Sequence, residues 1–156
     1  MILRNTLLSI HILAVIVWLG FGFYELLLTR EIRKARGSAE EIPLIRIYGR
    51  YAGIVAIATL ITALAGAAMT MVHRWGFFSV FWLGVKQGIM SAIILGMILL
   101  TPLFAELYKS IAAVDSDAPA SINETREIMD RVEQYVLLMR VGGVIAVLLA
   151  VWKPPL

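Results

Sequence analysis

The sequence predicts an all-α fold, an integral membrane antiparallel four-helix bundle, and three observations carry that prediction. The chain is 60% hydrophobic and 16% charged over 156 residues, too apolar for a soluble domain of that length. Four apolar stretches, over residues 5–28, 48–72, 80–104 and 134–152, each supply the roughly 20 helical residues that cross a hydrocarbon core. The basic residues, finally, alternate between the two sides of those stretches. The links after the first and third spans carry Arg30, Arg33, Lys34, Arg36, Arg46, Arg50, Lys109, Arg126 and Arg131, against Arg4, Arg74 and Lys153 opposite. The positive-inside tendency then puts both termini outside and the two longer links in the cytoplasm of a multi-pass plasma-membrane protein. Residues 1–156 read as a single transmembrane domain.

Cysteine is absent, which excludes thiolate ligation, iron–sulfur clusters, disulfides and cysteine nucleophiles together. The formal charge of +3 comes from residues that flank spans, so it points to lipid head groups and not to nucleic acid. No nucleotide-binding glycine loop, serine triad or zinc-peptidase motif occurs.

The first span is organised by His11, Trp18 and Glu25, each seven apart. At about 3.6 residues per turn they share a face with Val15 and Gly22. An ionisable group facing lipid costs roughly 2.5–3.5 kcal/mol, so this face is expected to look into protein. The apolar run is about twice a usual signal-peptide h-region and no small-x-small cleavage site follows, so the span is expected to remain in the mature chain.

The link from Thr29 to Ile47 contains Gly37-Ser-Ala and Pro43 and reads as a short helical extension followed by a turn. The second span is rich in small residues, Ala63, Ala65, Gly66, Ala67 and Ala68, which predicts close contact with neighbouring helices. Gly84 and Gly88 of the third span repeat that spacing. Between them lies a tight outer turn, His73-Arg-Trp-Gly-Phe-Phe-Ser, whose Trp75, with Trp82 beyond, suits an interfacial aromatic belt. Pro102 is expected to kink the third helix, which can continue to Val114. Asp115 to Ala120 then breaks it, and Ser121-Ile-Asn-Glu124 reads as a capping box opening the last helix.

Topology converts position into depth. His11 lies roughly 9 Å below the outer surface at about 1.5 Å per residue. Lys86 enters from the same side, and His73 closes the second helix there. On the inner side Glu25 and Arg140 fall at similar depth and are expected to form an interhelical ion pair, with a proton path as the functional alternative. A neutral imidazole in a four-helix bundle is an axial ligand for haem, and a groove of Val, Leu, Phe and Gly suits the porphyrin faces. A bis-histidine haem needs both His11 and His73; a single His11 ligand with a different sixth position is the other arrangement. Lys86 would pair with a haem propionate or be neutralised by desolvation. The rival is copper on Met69, Met71 and His73, whose thioether and imidazole donors suit Cu(I), although the two methionines point about 200° apart on a helix. A non-catalytic membrane subunit, its polar residues fixing only helix packing, is a third reading.

His11, six residues, Trp18, then Gly20 and Phe23-Tyr24 resemble the opening of the HemJ family of membrane protoporphyrinogen oxidases. Trp82-Leu-Gly-Val-Lys86 is similar to that family's third-helix motif, and Ala150-Val-Trp-Lys153-Pro154 resembles its Val-Lys-Pro tail. CopD-like copper proteins are wider relatives of the same pattern. The fourth helix departs from it: Arg140-Val-Gly-Gly stands near where the family carries Asn-Glu-x-Pro. The resemblance implies haem b held by His11, oxidation of protoporphyrinogen IX to protoporphyrin IX, and a catalytic role for Lys86. Expected cofactor-binding residues are His11, Trp18 and Lys86, and expected metal ligands His11 and His73. Expected partners are the lipid bilayer and a porphyrin or membrane electron carrier, with self-association left open.

Overall fold

The computed structural model describes residues 2–79, 81–114 and 119–152, leaving aside the side chains of residues 114 and 119–121. Among the described residues five helices follow one another: α1 (Ile2–Lys34), α2 (Glu41–Val72), α3 (Phe81–Leu99), α4 (Thr101–Val114) and α5 (Pro119–Trp152). All but α4 are long and apolar enough to cross a membrane. The protein is therefore a multi-pass membrane bundle with four antiparallel spans, α4 continuing α3. The expected break over 115–118 and the Lys153–Pro154 tail lie outside the described residues, as does the Ser121 side chain of the expected capping box. The helix itself begins earlier than that box implies, at Pro119, since a proline in first position has its φ preset and lacks only a donor that would go unused.

Sequence chemistry accounts for the other breaks. Arg33 and Lys34 end α1, where positive charge opposes the negative pole of the helix. The chain then reverses at Gly37, whose φ of +81° is open to glycine without strain. Pro43 sits in the first turn of α2, where amide hydrogens have no helical partner to lose. Pro102 cannot donate across the α3–α4 junction, while Leu100 and Phe104 still donate to Gly96 and Leu100 carbonyls at 2.9 and 3.0 Å. The regular helix is interrupted at Leu100, two residues before Pro102, with the hydrogen-bonded path kept across the interruption.

The two ends of the bundle differ, and we call them basic and aromatic. At the basic end, Leu28 and Ile32 of α1, Ile45 and Tyr48 of α2, Leu107 of α4 and Val132 of α5 form a closed core. Ion pairs bind its rim: Arg126 grips Glu41 through two bonds of 2.6 and 2.5 Å, Arg36 grips Asp130 at 2.8 Å, and Arg33 pairs with Glu133. At the aromatic end, α1 packs along α2 and α3 along α5, and the two pairs separate.

Candidate functional site: an apolar cavity at the aromatic end

That separation leaves a cavity of about 790 Å³, within the roughly 300–1,000 Å³ of small-molecule and cofactor sites. Its walls are overwhelmingly apolar. The small residues of α2 make one wall: Ala63, Gly66 and Ala67 line it, and only Ala65 of that group is buried. The expected close helix contact is made with α1, along which α2 packs and whose His11 ring lies on Gly66, while Ala63 and Ala67 leave their missing side-chain volume to the cavity. Likewise Gly88 of α3 has nothing within 4 Å of where a Cβ would stand, and Gly84 lies under Phe78 and not against a helix.

Six polar side chains reach the lining: His11, Thr62, Thr70, Lys86, Gln87 and Ser91. The His11 ring lies across α2 with Nδ1 3.0 Å from the Thr62 carbonyl oxygen. A carbonyl only accepts, so Nδ1 carries the proton and Nε2 keeps its lone pair. Gly66 makes this approach possible, because a Cβ there would stand 3.2 Å from His11 Cε1. The Thr62 hydroxyl is occupied by its own helix, donating to Ala58 at 2.8 Å. Lys86 lines the same cavity from α3.

Trp18 closes the cavity floor, 2% exposed, with its ring edge against Gly143 of α5, where a Cβ would come within 2.8 Å. One turn further along α1, Gly22 gives the same clearance to the Arg140 side chain. Arg140 there donates to Glu25 at 2.6 Å, both side chains buried. The expected ion pair is present. Trp18 Nε1 and Arg140 Nε are buried nitrogens without a hydrogen-bond partner among the described residues.

His73 is placed differently from His11. It caps α2, its Nδ1 bonded to the Met69 carbonyl at 2.8 Å, and its ring stacks on Trp75 with centroids 4.3 Å apart. It is not on the cavity wall, so the lining brings His11 and Lys86 together and leaves His73 out. The methionine pair diverges as helical geometry requires: Met69 lines the cavity and Met71 is 65% exposed. Among the described residues no three His, Cys, Asp or Glu side chains gather as metal ligands.

Sequence reasoning missed Gln87 and Thr70. Gln87 accepts the Phe78 amide hydrogen at 2.8 Å and donates to the Thr70 hydroxyl at 3.4 Å, tying α3 to the turn and to α2. A polar amide beside Lys86 in an apolar span was the available signal. The lining also takes in Trp75, Phe77, Phe78 and Trp82, of which only the tryptophans were read as interfacial.

Comparison with known protein families, curated proteins and solved structures finds no match to this chain.

Proposed function

We propose that the cavity is a haem b site with His11 as axial ligand, in a membrane redox protein whose reaction is the oxidation of protoporphyrinogen IX. One observation carries the reading: an imidazole with its Nδ1 proton committed to the Thr62 carbonyl stands on the wall of a large apolar cavity. This is the outer-shell arrangement that fixes tautomer and ring orientation in metal-ligating histidines. The lining also fits the group, being mostly apolar with Ala63, Gly66 and Ala67 leaving room beside the imidazole. When bound, haem supplies one-electron redox chemistry.

The chain's own residues have separate tasks in this reading. His11 offers Nε2 as the ligand atom. Lys86 would hold a porphyrin carboxylate in this mostly apolar chamber, and activity is expected to depend on it. Trp18 floors the site and separates it from the Glu25–Arg140 pair below. The substrate assignment rests on the resemblance of the His11–Trp18 and Trp82–Lys86 segments to HemJ, and electrons leave to a membrane carrier. The positive-inside tendency puts the basic end in the cytoplasm and the cavity toward the opposite face of the plasma membrane.

The test is a visible spectrum of detergent-purified protein from haem-replete cells. Wild type is expected to show a Soret band that His11→Ala loses while its size-exclusion profile is unchanged. Newly formed protoporphyrin fluorescence should rise with wild type and not with Lys86→Ala. A wild-type protein with no Soret band ends the haem reading, and stoichiometric copper in its place would turn the assignment toward copper handling.

A further inference from the structure

We infer that the seam between α2 and α3 is the door through which the cavity exchanges its ligand with the lipid phase, and that Gln87 is its latch. Antiparallel helices joined by a short turn normally pack on one another. α2 and α3 are joined by such a turn and do not pack along their lengths; the cavity lies between them. Leu64 on α2 and Leu95 and Ile98 on α3 line the cavity and are at the same time 61%, 56% and 63% exposed, as Ile16 on α1 and Val151 on α5 are at 61% and 80%; what singles out the seam is that α2 and α3 do not pack on each other. Residues in both roles mark an opening, and in an apolar span it faces hydrocarbon.

The seam is held at the turn. Gln87 reaches the Phe78 backbone with its carbonyl and buried Thr70 with its amide, so one side chain joins three segments. The turn it holds stores strain: Arg74 and Phe78 have φ of +53° and +57° without being glycine, conformations that persist only where surroundings impose them. Phe78 is seated on Gly84, whose Cβ would stand 3.4 Å from its Cα, and it lines the cavity mouth together with Trp75 and Phe77. Releasing Gln87 frees the turn to relax, swings these rings from the mouth and parts the seam. The door leads to lipid, so the ligand class it admits is a largely apolar molecule dissolved in the bilayer. That molecule is a porphyrin if the haem reading holds, and the inference depends on that reading for the ligand's identity alone.

Two measurements test the latch. The chain has no cysteine, so Ala67→Cys places a single thiol on the cavity wall. Labelling by pyrene maleimide, a planar apolar reagent, is expected to quicken roughly threefold to tenfold when Gln87→Met is added, the change set by losing an ordinary hydrogen bond. Gln87→Glu, which keeps the acceptor for Phe78 and loses the amide donor to Thr70, should fall between. Gln134→Met, exposed at the basic end, should change nothing. Haem transfer from the loaded protein to apomyoglobin should quicken by a similar factor in Gln87→Met. Wild-type labelling and transfer rates in Gln87→Met would overturn the latch and leave the haem reading standing. Failure of wild type to hold haem would overturn that reading, while the labelling rates still decide the latch.

Discussion

The basic and aromatic ends are built from the same four spans and put them to opposite uses. At the basic end large side chains meet: Leu107 and Val132 are each 1% exposed, and Glu41 is sealed beneath Arg126. At the aromatic end Gly66 of α2 faces the His11 ring, and Ala63 and Ala67 beside it face space. Helices in lipid gain little from hiding apolar surface, because acyl chains are as apolar as leucine; they associate by fitting together and by polar bonds. A bundle can therefore be open at one end only if the other end is well fitted, and the Glu25–Arg140 pair marks the level where one regime gives way to the other.

The comparison can be broken most forcefully at that level. Arg140→Met leaves Glu25, 2% exposed, without its cation, and stripping one partner from a buried pair costs about 3–5 kcal/mol. Denaturant titration in mixed micelles should show a loss of that size, and Arg140→Met with Glu25→Gln should recover much of it. Near wild-type stability in the single variant would mean that the pair does not join the two halves. The next effect tests the halves against each other. Leu107→Ala in the closed core should cost about 2–5 kcal/mol, whereas Leu64→Ala, on the cavity wall and 61% exposed, should cost under about 1 kcal/mol because no packed core surrounds it. Equal losses would refute the contrast. The smallest change sharpens it: Arg36→Ala removes a pair with Asp130 whose side chains are 38% and 45% exposed, worth about 0.2–1 kcal/mol and diminishing with added salt.

Much of this was legible in the chain. The His11–Trp18–Glu25 face turned inward because polar groups leave lipid, and Glu25 found Arg140 because two buried charges at one depth have few alternatives. Pro102 marks the place where the third helix is interrupted, between Leu99 and Thr101. Other features were not legible. The second-span stripe of small residues is equally consistent with a neighbouring helix pressed against it and with a void, and hydropathy is the same for both. His73 matched His11 in side and in residue type, yet Trp75 and the Met69 carbonyl hold it at the end of α2.

The sequence by itself determined four spans, their antiparallel order and which polar residues had to face protein, because each of those follows from the transfer free energy of single segments and residues. Only the tertiary structure decided that α2 and α3 stand apart, that His11 donates to Thr62 and that Gln87 bridges Phe78 and Thr70. Those outcomes depend on how side chains from distant segments fill or fail to fill shared volume, a property of pairs that no residue carries alone.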